Sequence, residues 1–368
     1  MSLEGHVDIV LPRDPDNPVQ VALKEPANVS RLLSGRTAAE VIRIVPSLFS
    51  LCGTAHAAAA AAALESAAGR VADRDTMALR ECLVLMERVR EHLLRIALDW
   101  PLLASEAPDI KTAQSAMSLL SELRNALDPE DVVFLDPKAK AGDRDTGRTL
   151  VASAVAIAES RIFQEELSAW RNRRDQTSLG TWAASGKTVA ARLLGALLAF
   201  DAKWPGTGAP QFLNDFEMIE PVEKADFVPE TSPLERRRDH PLLACGREPT
   251  LATRYLARLV DLSETLKELQ DLFAENHRFL ISRRRKCPRG VGFAETARGR
   301  LTHVAKLRDG MVEDYRIISP TRWNFADRGV ASRCLGMLSG GSDEERIERA
   351  GLVIGAIDPC VRHTVRIH

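Results

Sequence analysis

Residues 300–320 read RLTHVAKLRDGMVEDYRIISP. Two runs that alternate apolar and polar side chains flank Asp309 and Gly310. An Asp-Gly pair between such runs is the strongest local signal for a tight β-hairpin, because both central positions of the turn need positive φ. A second, weaker hairpin lies near the other end: HVDIVL and VQVALK alternate in the same way across PRDPDNP, a cluster of turn formers, over residues 6–24. Between the two hairpins the chain is mainly of helical spacing, interrupted twice.

The helical stretches begin at SGRTAAEVIRIVPSLFSL, with Ser34 as the expected cap and Pro46 as the expected interruption. GTAHAAAAAAALESAAG follows, an alanine run ended by Gly69 and suited to close packing against a neighbour. Periodic apolar positions then predict helices at about 75–99, 111–126, 148–170, 187–203 and 250–281. Residues 128–147 and 204–235 are rich in Pro, Gly and acid and read as long loops. The expected fold is mainly α, a helical bundle with small β-hairpin regions near both ends.

Composition excludes several function classes. With 50 basic and 51 acidic residues the net charge is -1, so no global field draws the chain to nucleic acid or anionic lipid. The basic clusters 171–174, 236–238 and 283–286 are short and lack interleaved aromatics, and are read as solvated surface. GTWAASGKT at 180–188 resembles a phosphate-binding loop but has one residue too many before Gly-Lys and no strand ahead of it; a helix start capped by Ser185 is expected instead. The six cysteines are scattered, and MSLEGHVDIV lacks the features of a secretory signal, which points to reduced thiols in a cytoplasm. No run approaches the roughly 20 apolar residues of a membrane span.

Two short segments carry the chemistry. In CGTAH, Cys52 and His56 are four apart and share a face at a helix start; in DPCVRH, Cys360 and His363 are three apart and can converge. Either alone is more often a buried structural pair than a metal site.

The wider setting resembles the large subunit of nickel-iron hydrogenases. LEGHVDIVL looks like that family's opening strand, LFSLCGTAH like its first metal motif, ATRYLAR (252–258) like an arginine-bearing helix motif, and residues 295–324 like the segments A-P-R-G-x-L-x-H and P-T-x-W-N. DPCVRHTVRIH looks like its second metal motif. Two of the four cysteine positions differ, being Phe49 and His363. The pattern is similar to that of hydrogenase maturation proteins of the HupK or HoxV type.

That resemblance implies a single large-subunit-like domain over 1–368, with 1–60 and 290–368 as the ends that form a metal pocket and 61–289 as the helical middle. It implies iron with cyanide and carbonyl ligands, transiently held by Cys52, Cys360 and His363, and no nickel. Arg298 and Thr321 match the donors to cyanide, with Glu4 and His56 as orienting partners; the same residues also admit purely structural roles. The implied partners are a chaperone that delivers the iron unit and the immature large subunit, with no nucleic acid and no membrane insertion. A divergent hydrogenase and a metal-free docking protein for hydrogenase assembly are the alternatives.

Overall fold

The computed structural model describes residues 5–14, 16–24, 29–201, 228–243, 249–274, 289–338 and 340–368. Strands β1 (His6–Leu11) and β2 (Gln20–Lys24) open the chain. Twelve helices follow: α1 (Val29–Leu33), α2 (Ala38–Leu48), α3 (Gly53–Ala67), α4 (Arg74–Leu94), α5 (Trp100–Leu103), α6 (Ile110–Leu127), α7 (Arg144–Ile157), α8 (Leu167–Arg171), α9 (Gln176–Ala184), α10 (Val189–Asp201), α11 (Pro233–Arg236) and α12 (Leu251–Phe273). The last part comprises β3 (Gly290–Thr296), β4 (Gly299–Arg308), β5 (Met311–Ile318), α13 (Pro320–Asn324), α14 (Val330–Gly336), α15 (Asp343–Ile357) and β6 (Arg362–Ile367).

Both expected hairpins are present, but each belongs to a three-stranded sheet. Asp309 and Gly310 take positive φ of 50° and 79° between β4 and β5, as the turn requires. The third strand, β3, pairs antiparallel with β4. At the other end β6 lies parallel to β1, with Val7 opposite His363 and Leu11 opposite Ile367, so the sheet order is β2-β1-β6. The first and last strands of the described chain are therefore hydrogen-bonded neighbours. Val7, Ile9 and Leu11 turn their buried face to the helical core, whose centre is α12.

Several local expectations are corrected. The α2 cap is Thr37, in a reciprocal capping box with Glu40, because Gly35 at φ +75° turns the chain after Ser34. Pro46 lies inside α2, near its end. The single helix expected at 148–170 is α7, a wide π-helical stretch Ala158–Phe163 and α8, separated by Gln164 at φ +54°. Within the phosphate-loop look-alike, α9 ends at Ala184 and Thr188, not Ser185, accepts the amide of Ala191 at the start of α10. In cluster 236–238 Arg238 is exposed as expected, but Arg236 and Arg237 reach the fully buried Asp261 at 2.6 and 2.8 Å. In 171–174, Arg171 pairs with Glu264 and Arg173 with Glu165. Cluster 283–286, residues 204–227 and the far end of the helix expected to reach 281 lie outside the described residues.

The alanine run has a clear packing reason. A Cβ on Gly290 would sit 2.0 Å from the Ala63 carbonyl oxygen, and one on Gly292 would sit 2.1 Å from that of Ala59. Helix α3 and strand β3 thus press backbone to backbone, which only small residues permit. Gly292→Ala must push the two apart and is expected to cost about 3 kcal/mol or more. Gly180→Ala, in a helix with nothing within 4 Å of the new methyl, is expected to be neutral or stabilising by up to about 1 kcal/mol. Chemical denaturation of both variants checks this; equal stability would contradict the close approach.

Candidate functional site

Cys52 caps the N-terminus of α3 and is buried. Its helix start is held by Glu87 of α4, whose carboxylate accepts the amides of Thr54 at 2.7 Å and Ala55 at 2.9 Å. At the other end of the chain α15 stops at Asp358, which takes φ +62° and redirects the backbone through Pro359 into Cys360 and β6. Thr321, in the first turn of α13, clips that segment: its hydroxyl donates to Cys360 Sγ at 3.0 Å and its oxygen accepts the Cys360 amide at 3.1 Å.

These segments line one cavity of about 930 Å³, into which Cys52, His56, Arg298, Thr321, Cys360 and His363 all open. Arg298 sits in the turn between β3 and β4 and is 2% exposed. Both terminal nitrogens donate to Glu91 at 3.1 Å, and its Nε lies 3.3 Å from Asp358. Asp358 also receives Arg258 at 3.1 Å and Arg95 at 3.1 Å, the latter from the wide π-helical turn Arg95–Asp99 after α4. Despite its burial, the three guanidiniums hold the Asp358 carboxyl well below its usual range. Asp358 also carries Cys360 two residues on, so the same hub fixes the cavity wall.

The Cys52 thiol is pushed well above its ordinary range, first by burial, then by Cys360 and Glu87. A helix N-terminus and nearby Arg298 both favour a thiolate, but burial outweighs them. Cys52 is therefore a neutral thiol.

His56 does not stand alone. Its Nδ1 is 3.0 Å from His303 Nε2, and His303 Nδ1 is 2.7 Å from the Tyr315 hydroxyl. Phe49 lies flat on the His56 ring, with centroids 3.9 Å apart and planes 4° apart. Burial depresses both imidazoles, His303 to about 3, so the pair is neutral. An unfolded chain takes up these protons near 6.5, so the pair's contribution to stability is present above that pH and is lost as the pH falls toward about 3. His303→Gln removes one titration and is expected to flatten the acid limb of stability by up to about 1.4 kcal/mol per pH unit. An unchanged slope in denaturation from pH 6.5 downward would contradict it.

His363 stands on strand β6, exposed at the rim of the cavity that Cys360 also lines. Among the described residues no three His, Cys, Asp or Glu side chains converge as a metal site. Glu4 lies outside the described residues. Cys82 is a core residue of α4, its thiol pushed up to about 12 by burial. Sequence reading missed Glu87, Glu91, Arg95 and the His303–Tyr315 pair as parts of this site. His303 and Tyr315 fell within the stretch 295–324; Glu87, Glu91 and Arg95 carry no local signal.

Known proteins resemble this chain in sequence and in fold. Residues 245–338 match the model of the nickel-dependent hydrogenase family. The hydrogenase expression/formation protein HoxV of Cupriavidus necator is 27% identical, covering 94% of this chain and 92% of its own. HupK of Azotobacter vinelandii is 28% identical over 98% of both chains. Among solved structures, an NAD+-reducing [NiFe]-hydrogenase superposes with a TM-score of 0.56 at 15% identity, over 94% of this chain and 92% of that one. The Ni-Fe-Se hydrogenase of D. vulgaris Hildenborough gives 0.57 at 15%, over 93% and 92%. The chain is thus similar along nearly its whole length to the HupK and HoxV hydrogenase expression/formation proteins, on a fold like that of the nickel-iron hydrogenase large subunit.

Proposed function

We propose that this protein acts in hydrogenase maturation as a non-catalytic scaffold, holding an iron atom that carries cyanide and carbonyl ligands until it passes to an immature large subunit. The observation that carries the reading is the shared cavity: thiols from opposite ends of the sequence open into it beside Arg298 and Thr321. The iron unit is cargo, and the donor set suits cargo. Two soft thiolates suit iron, and a site with fewer thiolates than its acceptor releases metal to it.

Each residue has a defined task in this reading. Cys52 and Cys360 bind iron, each giving up a proton as it does so. Arg298 presents fixed positive charge to an anionic cyanide in a dry pocket while Glu91 and Asp358 hold its guanidinium in place. Thr321 turns its hydroxyl from Cys360 Sγ toward the cargo once that sulfur is coordinated. Phe49 occupies a position where the hydrogenase motif has cysteine, and His363 occupies another, which disfavours a nickel site and hydrogen turnover. The partners in this reading are a chaperone that delivers the iron unit and the large subunit that receives it, in the cytoplasm, with no nucleic acid and no membrane insertion.

A metal-free docking role is the second reading, favoured by the lack of three converging ligands among the described residues. Anaerobic purification from cells making hydrogenase separates the two. Iron without nickel, with infrared bands in the cyanide and carbonyl stretching region, is the expected result; protein without iron supports the docking role, and nickel with hydrogen turnover supports an enzyme.

A further inference from the structure

Three buried side chains from three elements form a hydrogen-bonded row that ends at the large cavity. Tyr315 of β5 meets His303 of β4 at 2.7 Å, and His303 meets His56 of α3 at 3.0 Å. All three residues are buried, and their side chains make no other hydrogen bond among the described residues. His56 lines the cavity and turns Nδ1 to His303, so Nε2 is the ring nitrogen left to face the cavity.

Burial keeps the Tyr315 phenol protonated and both imidazoles neutral, so each side chain brings one proton to the row. Those protons can point inward or outward. Inward, His56 Nδ1 donates to His303 Nε2 and His303 Nδ1 donates to the phenol oxygen, which strands the phenol O–H in the core without an acceptor. Outward, Tyr315 donates to His303 Nδ1, His303 Nε2 donates to His56 Nδ1, and the His56 proton stands on Nε2 at the cavity. Any mixed arrangement sets two N–H groups or two lone pairs against each other. Only the outward direction gives every core donor an acceptor, and a stranded buried donor is the costly defect. Phe49, flat against the His56 ring at 3.9 Å, blocks the half-turn that would exchange the two edges of that ring.

We infer that Tyr315, acting through His303, fixes His56 as a hydrogen-bond donor to the cavity, so that His56 favours contents that accept a hydrogen bond and supplies no lone pair to a metal ion. Tyr315 and His303 are positioning residues: the proton on one nitrogen of an imidazole is set by the bond the other nitrogen makes. A bare divalent cation gains nothing from His56, whereas an iron unit that brings anionic ligands gains a donor in addition to Arg298 and Thr321. This preference for the cargo rests on the scaffold reading; the direction of the row does not.

Nitrogen-15 correlation spectra of the metal-free protein, labelled at histidine and held near neutral pH, read the proton positions directly. The expected result is a pyrrole-like Nε2 and a pyridine-like Nδ1 on both His56 and His303, the signals assigned with His56→Gln and His303→Gln. The reverse pattern on both rings would overturn the inference. Tyr315→Phe keeps the aromatic ring and removes the proton that orients the row, so the His56 Nδ1 signal is expected to move toward the average of the two forms. An unmoved signal would show that Tyr315 does not set the direction; if the variant does not fold, the wild-type spectrum still decides. Added zinc ion is expected to leave His56 Nε2 protonated, and loss of that proton to zinc would make His56 a ligand. None of these spectra depends on iron, so their failure is distinct from failure of the scaffold reading.

Discussion

Cys52→Ser is expected to abolish retention of the iron unit, with iron per protein falling to background and the cyanide and carbonyl bands lost together. The hydroxyl is a hard, poorly ionised donor in place of a soft thiolate, and no geometric adjustment recovers the difference. The fold is expected to survive, because the volume change is small and the α3 start is held by Glu87 acting on Thr54 and Ala55, not by the sulfur. Cys360→Ser is expected to weaken retention similarly, and also to lose the Thr321 contact at 3.0 Å. Cys82→Ser, in the α4 core, is expected to leave iron unchanged. Equal loss in all three variants, or none in Cys52→Ser, would show that the cavity thiols do not hold the metal.

The largest effect on stability is expected from Asp358→Asn. The carboxylate answers Arg298, Arg95 and Arg258 in a buried site, and its neutral isostere leaves those guanidiniums short of counter-charge. Removing one partner of a buried ionic cluster costs about 3–5 kcal/mol, and urea denaturation reads it directly. The pH dependence has a definite sign. The folded Asp358 carboxyl lies below its ordinary 3.8, so its stabilisation is fully present above that value and is lost as the pH falls below it. Asp358→Asn is therefore expected to be least stable relative to wild type near neutrality, with the gap narrowing in acid. A gap that stays constant down to strongly acidic pH would remove Asp358 from the role of charge hub.

What the sequence disclosed was what local chemistry determines. The Asp309-Gly310 turn, the alanine helix with Gly69 beyond its end and the N-terminal hairpin depend on residues within a few positions of one another, and each forms where expected. Strand β3 was hidden because Gly290 and Gly292 weaken a strand pattern; their use is apparent only once Ala59 and Ala63 are seen against them. Strand β6 depends on β1, far away in sequence, so nothing near His363 announced that it would stand on a strand. The arginines of 236–238 read as solvated surface because Asp261, Glu268 and Glu295 lie 24 to 59 positions away. Of the residues that the hydrogenase resemblance singled out, Cys52, His56, Arg298, Thr321, Cys360 and His363 line one cavity. Its supporting charges were not legible, since a buried carboxylate and its guanidinium share no sequence period.

The parallel pairing of β1 with β6 also sets a timetable. Val7 and His363 become neighbours only after nearly all of the described chain lies between them, and closing so long a loop is the kind of contact that forms late. During synthesis, helices α3 to α12 emerge and can pack while β1 still lacks its parallel partner β6 and the cavity lacks Cys360. A chain in which β6 has not yet paired therefore has a helical body but no closed cavity. The same closure makes β6 a sensitive point: a substitution that weakens its pairing with β1 acts on the latch of the cavity.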